Sequence, residues 1–112
     1  MTTLPAPLRP TAERLLGDRL ELAERFVALL AEQGPERGLI GPREVERLWE
    51  RHLLNCALMV DAIEPGTRTL ADVGSGAGLP GVVIAIARPE LQVTLIETMQ
   101  RRTTWQIGRA HV

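Results

Sequence analysis

LADVGSGAGLPGVVIAIARPELQVTLIET, Leu70 to Thr98, places glycines at 74, 76, 78 and 81 between two apolar runs. Residues 69–73 form a short apolar run that ends in the glycines, the pattern of a buried strand. Residues 79–88 are rich in Val, Ile and Ala and are closed by Pro89, which predicts a helix. Residues 91–96 repeat the strand pattern and leave Glu97 at its carboxyl end. Strand, glycine loop, helix and strand make one βαβ unit, and such units cross over right-handed between parallel strands. Glycines where the chain leaves the first strand strip side chains from the loop, so a ligand can approach the main chain. Doubly wound folds bind nucleotides at that carboxyl edge, and the following helix turns its first N–H groups the same way. A tight turn without a ligand seldom needs so many glycines.

Upstream of this unit the periodicity is helical. Residues 1–10 hold three prolines and are expected to be a flexible arm. From Thr11, the positions Leu16, Leu20, Ala23, Phe26 or Val27 and Leu30 recur at three- and four-residue steps between charged residues, and Gln33-Gly34-Pro35 stops the pattern. Gly41 and Pro42 open a second helix, since proline suits a first helical turn. Its expected buried stripe is Val45, Leu48 or Trp49, His52 or Leu53, Cys56, Met59 or Val60 and Ile63, ending at Glu64-Pro65-Gly66. The expected organisation is therefore an arm at 1–10, a helical segment at 11–66 and an incomplete α/β domain at 67–106. There is no internal repeat and no low-complexity tract.

Composition sets bounds on function. With 112 residues, 45% of them hydrophobic, the chain is of a size for one modest core. The start lacks a secretory pattern, and the longest apolar run, Leu79 to Ala87, is too short to span a bilayer. A cytoplasmic location is expected. Cys56 is the single cysteine, which rules out an internal disulfide and a cysteine-based zinc site. All thirteen basic residues are arginine. Without lysine there is no Walker-type phosphate loop. Residues 1–65 carry eight arginines against eleven acids, and residues 66–112 five against three. Neither half is basic enough to announce nucleic acid by charge alone.

The choice of nucleotide is open at the level of pattern. GAGLPG, residues 76–81, matches the dinucleotide fingerprint G-x-G-x-x-G, and Glu97 stands near its acidic position. An NAD(P)-binding oxidoreductase therefore remains an alternative, as does a non-catalytic module of helices and half a nucleotide fold. Three features favour S-adenosylmethionine. Asp72 gives D-x-G-x-G-x-G, Pro80 occupies the turn, and the first glycine of the fingerprint comes several residues after the strand.

RLWERHLLNCA (Arg47 to Ala57), LADVGSGAGLPGVVIAIARPELQVTLIE (Leu70 to Glu97) and RRTT (Arg101 to Thr104) resemble the RsmG type of methyltransferase, also called glucose-inhibited division protein B. The resemblance runs from about Leu15 to Trp105. It implies a Rossmann-like α/β fold behind an N-terminal helical segment, and S-adenosylmethionine-dependent methylation of guanine N7 in small-subunit (16S) ribosomal RNA. By motif position it makes Gly74 and Leu79 backbone and apolar contacts to the cofactor, Gly76 and Gly78 shapers of the loop, and Glu97 the acceptor for the ribose hydroxyls. Where many members carry an Asn-Leu-Thr stretch before the arginine-histidine helix, this chain reads GLIGPREVE. No catalytic residue is assigned, because N7 has an in-plane lone pair and no proton to remove. The implied partner is 16S RNA or the small subunit, with no membrane, no metal and a monomeric full-length enzyme.

Other features carry less. His52 and Cys56 stand four residues apart as a metal pair might, but with no third ligand near them both are expected in the core. Arg43, Arg47 and Arg51 recur at four-residue steps and could meet RNA phosphates, although Glu44, Glu46 and Glu50 are interleaved. Arg101 and Arg102 could face cofactor or RNA, and Trp105 is expected to pack in the core rather than stack on a base. A methyltransferase sheet needs more than two strands, so the expected product is a truncated fragment, inactive alone. Residues 107–112, IGRAHV, match the translation ATC-GGA-AGA-GCA-CAC-GTC of a common sequencing adapter. They are expected to be non-native, to continue no helix and to offer no ligand at His111.

Overall fold

The computed structural model describes residues 3–110, apart from the side chains of residues 101 and 108–110. The helical segment comes first. Helix α1 spans Arg9–Leu16 with proline in its opening turn, and α2 spans Leu20–Gln33. These replace the single helix expected from Thr11. Gly17, at φ +54° and ψ −129°, leaves helical space and is followed by one tight turn, Gly17–Arg19. The apolar stripe survives this break: Leu16, Leu20, Ala23, Phe26, Val27 and Leu30 are all buried. The expected arm is also corrected. Ala6–Leu8 form a 3-10 turn and Leu4 is buried in the core, because apolar side chains at 4 and 8 have helices to pack against.

The second helical stretch is wound unevenly. It runs as a 3-10 helix at Pro42–Arg47, a π-helix at Leu48–Leu53, helix α3 at Leu54–Leu58 and a 3-10 turn at Met59–Ala62. The buried stripe therefore drifts from simple helical spacing. Leu48, Trp49, Leu53, Leu54 and Ala57 are buried; of the pair Met59 or Val60, Val60 is the half-buried one and Met59 is 49% exposed. The arginine ridge changes for the same reason. Four residues of 3-10 helix overshoot a full turn by roughly 120°, so Arg43 does not stand above Arg47. Arg43, Arg47 and Arg51 are all exposed.

Strands β1 (Thr69–Val73) and β2 (Gln92–Ile96) pair in parallel, Thr69 opposite Gln92 through to Val73 opposite Ile96. Helix α4, Gly81–Ala87, connects them, starting two residues later than the sequence suggests. One face of the sheet, with Leu70, Asp72, Val93 and Leu95, is half-buried, and the other is exposed. Val82, Val83, Ile84 and Ile86 of α4 are buried. Arg19 Nε donates to the Ile86 carbonyl at 3.0 Å, joining the start of α2 to the end of α4. A last helix, α5, spans Gln100–Ala110. This corrects the expectation for residues 107–110, whose backbone continues the helix; His111 lies outside the described residues.

The start of α4 is set by a close approach. Gly81 N–H donates to Asp72 Oδ2 at 2.9 Å. A Cβ on Gly81 would lie 2.7 Å from that oxygen and would also collide with Leu95 Cδ2. Overpacking of this kind costs about 1–3 kcal/mol. Gly81→Ala is expected to lower the urea midpoint by an amount in that range, with the denaturant slope unchanged.

Candidate nucleotide site

The loop 74–80 leaves β1 by prolonging the sheet. The N–H groups of Gly74 and Ser75 both donate to the Ile96 carbonyl, at 2.8 and 3.2 Å. Gly78 N–H then closes a turn on the Ser75 carbonyl at 2.8 Å. Gly74, Gly76 and Gly78 have φ of +74°, +53° and +96°, a region that side-chain-bearing residues rarely enter. Their surroundings differ. A Cβ at Gly74 would meet nothing within 4 Å, and one at Gly76 only Arg102 Nη1 and the Gly74 carbonyl, both at 3.9 Å. A Cβ at Gly78 would strike Val82. Gly74 and Gly76 thus face open space, while Gly78 and Gly81 let the chain close onto α4 and the sheet. Leu79 is half-buried against the core.

Glu97 stands at the carboxyl end of β2, and its side chain is only 6% exposed. Oε2 accepts from the N–H groups of Thr98 and Met99 at 2.9 and 3.0 Å. Oε1 accepts from Gly76 N–H at 2.7 Å, and Arg102 Nη1 lies 3.7 Å from it. These donors, Met99 first, then Gly76 and Thr98, with the Arg102 charge behind them, hold the carboxyl below the usual glutamate range against the opposing effect of desolvation. The structure brings Glu97 and Gly76 into direct contact and sets Gly74 open beside the same loop. Asp72 is occupied differently, by the N–H of Gly81.

The sequence reading missed how α5 holds the loop. Trp105 is 1% exposed, and its Nε1–H donates to the Ala77 carbonyl at 2.9 Å. Gln106 Nε2 donates to Ser75 Oγ at 2.8 Å and to the Gly76 carbonyl at 2.5 Å. Arg37 lies over the Trp105 ring, 5.7 Å from its centre. The only local signal was an indole at 105 expected to be buried, because a buried indole N–H needs an acceptor. Arg102 keeps its Nε buried with no hydrogen-bond partner, and the Arg101 side chain lies outside the described residues.

The remaining candidates take structural places. His52 is half-buried and its Nε2 is 3.2 Å from Glu44 Oε2, so Glu44 pairs with the imidazole rather than with the arginine ridge. Burial, helped by the Asp72 charge, pushes the Cys56 thiol up to about 11. Among the described residues no three His, Cys, Asp or Glu side chains gather to hold a metal, and no helix is long and apolar enough to cross a membrane. An apolar cavity of about 300 Å³ opens between α2, α4 and β2, lined by Phe26, Leu29, Val82, Ile86 and Leu95. Neither Glu97 nor loop residues 74–80 line it, so it is separate from the candidate site at the glycine loop.

A family model described as rRNA small subunit methyltransferase G matches residues 19–106. The chain belongs to the GidB family. The GidB match covers Asp72, the glycine loop, Glu97 and Trp105 together. Curated relatives named ribosomal RNA small subunit methyltransferase G include one from Pseudarthrobacter chlorophenolicus, 62% identical over 84% of this chain and 43% of its own length. One from Arthrobacter sp. strain FB24 is 59% identical over 94% of this chain and 48% of its own. A third, from Nocardioides sp., is 68% identical over 79% and 35%. The chain spans less than half the length of these relatives.

Two expectations follow from the clamped loop. Trp105→Phe keeps an aromatic ring but leaves the Ala77 carbonyl without its indole donor, which costs about 1–3 kcal/mol for a buried group; equilibrium unfolding should show a loss of that order. Glu97 has a depressed pKa in the folded state, so its contribution to stability is complete above the ordinary glutamate value. That contribution is lost as pH falls through the depressed one. Acid titration followed by unfolding should show wild type losing more stability than Glu97→Gln across that window.

Proposed function

We propose that the chain supplies the cofactor-binding portion of an S-adenosylmethionine-dependent methyltransferase that acts on guanine N7 of small-subunit (16S) ribosomal RNA. Its βαβ unit is read as the first of a Rossmann-like sheet. The relatives run to more than twice the span matched here, so the activity is proposed for a cytoplasmic, monomeric protein of their length. The observation that carries this reading is the pairing of an open glycine rim at 74 and 76 with the Glu97 carboxylate beside it. Family membership gives the reaction class, since the relatives are named for ribosomal RNA methylation.

The residues present fit S-adenosylmethionine better than a dinucleotide. A pyrophosphate is held by free N–H groups at a helix start, but here Gly81 N–H is committed to Asp72, and Pro80 has none. A carboxylate at that position would also repel a phosphate. S-adenosylmethionine carries no phosphate and supplies, when bound, an electrophilic methyl group. Glu97 would accept from the ribose hydroxyls, Gly74 and Gly76 would admit the ligand to the backbone, and Leu79 would give an apolar contact. Gly78 shapes the turn. Because N7 of guanine has a lone pair and no proton, the protein needs no general base. Its task is to align the partners and exclude water. No catalytic residue is assigned within this chain.

A ligand that binds only the native state raises stability by RT ln(1 + [L]/Kd). In the intact protein, S-adenosylhomocysteine is expected to raise the thermal unfolding midpoint, and NAD or NADP at equal concentration to leave it unchanged. Protection by the nicotinamide cofactors alone would overturn the methyltransferase reading.

A further inference from the structure

The acceptor capacity of Glu97 is nearly filled from within the chain. A carboxylate offers about four lone-pair positions. Thr98 and Met99 N–H use two at Oε2, and Gly76 N–H uses one at Oε1, with Arg102 Nη1 standing 3.7 Å from that same oxygen. A ribose diol brings two hydroxyl donors to this carboxylate, so one of the resident donors has to yield. Thr98 and Met99 follow Glu97 directly, and their N–H groups are part of the turn into α5. Gly76 reaches Glu97 from 21 residues away and is the donor that can be released without unwinding anything.

Resting on the nucleotide reading above, we propose that a ribose hydroxyl inserts into the Gly76–Glu97 hydrogen bond. The hydroxyl donates to Oε1 and accepts from Gly76 N–H. The bond is therefore a latch that closes the loop onto β2 and that a ligand hydroxyl, donor and acceptor at once, can replace without loss. A hydroxyl is both donor and acceptor, so insertion leaves neither the N–H nor the carboxylate unsatisfied; a deoxy sugar has nothing to insert and leaves the bond closed. Beside the bond, the side-chain direction of Gly76 is uncrowded, the nearest atoms to a Cβ placed there being 3.9 Å away; the Gly76 N–H and Oε1 themselves are in contact at 2.7 Å and must part to admit the hydroxyl. The opening stays local. The Ser75 carbonyl keeps Gly78 N–H, the Ala77 carbonyl keeps the Trp105 indole, and the Ile96 carbonyl keeps Gly74 and Ser75.

The test is amide NMR on the intact ¹⁵N-labelled protein, titrated with S-adenosylhomocysteine and with its 2′,3′-dideoxy counterpart. The Gly76 amide signal is expected to move on saturation with S-adenosylhomocysteine, more than those of Thr98 and Met99. The dideoxy ligand is expected to bind about ten- to a hundredfold more weakly, the value of one hydrogen bond to a charged group. In Glu97→Ala the Gly76 amide should exchange with solvent faster than in wild type even without ligand. Binding of S-adenosylhomocysteine with an unmoved Gly76 signal would overturn the latch and leave the nucleotide reading standing; equal affinity for the dideoxy ligand would overturn the latch together with the ribose role of Glu97. Failure of S-adenosylhomocysteine to bind at all would overturn both the latch and the nucleotide reading.

Discussion

Contact between the Gly81 backbone and the two strands beneath it determines where the rest of the site can go. Asp72 reaches up from β1 to take the Gly81 N–H, and Leu95 of β2 fills the space a side chain there would need. This is a hydrogen bond and a steric limit acting at one point, and together they fix the first residue of α4. Because the apolar residues of that helix are buried against the core, it cannot slide to relieve either. The seven residues between Val73 and Gly81 then have one route, an arch over the carboxyl edge of the sheet. A half-buried carboxylate loses part of its hydration and gains from a hydrogen bond in exchange, so Asp72 and the start of α4 support each other.

The arch is secured from two sides, which bears on binding. On one side the Ile96 carbonyl takes the N–H groups of Gly74 and Ser75; on the other, Trp105 and Gln106 of α5 donate to its carbonyl and hydroxyl oxygens. A loop whose polar groups are already paired loses little conformational entropy when a ligand arrives. The glycines remain necessary because the backbone adopts left-handed angles there, and two of them leave the ligand side bare. Shape and exposure are thus supplied by glycine, and rigidity by residues far away in sequence.

How much of this could be read from the sequence depended on the range of the forces involved. Both strands, their order and the glycine arch follow from local pattern, because an apolar run ending in Gly74 and another ending at Glu97 leave few alternatives. Helix continuity was harder. Gly17 interrupts a stripe that keeps its spacing on either side, so periodicity alone hid the break between α1 and α2. The stretch from Pro42 to Ala62 alternates between tight and wide turns, which turned Val60 rather than Met59 inward and dispersed the arginine ridge. At the site, Glu97 and Gly76 were named from the motif and stand in contact, whereas the grip of Trp105 and Gln106 on the loop spans 28 to 31 residues and left no local trace. Asp72 belongs to the glycine motif, but its bond to Gly81 depends on where α4 begins above β1, which local pattern places two residues too early.

The two-stranded sheet has one further consequence, on its bare side. Val73 and Ile96 lie opposite each other in register, 77% and 45% exposed, on a face that no described element covers. Parallel strands are ordinarily shielded on both faces, and uncovered apolar strands invite pairing with other chains. Solubility of this unit by itself is therefore a matter of concentration: dilution keeps such faces apart, and crowding brings them together. Purification yield, before any assay of chemistry, would register whether that face has found its cover.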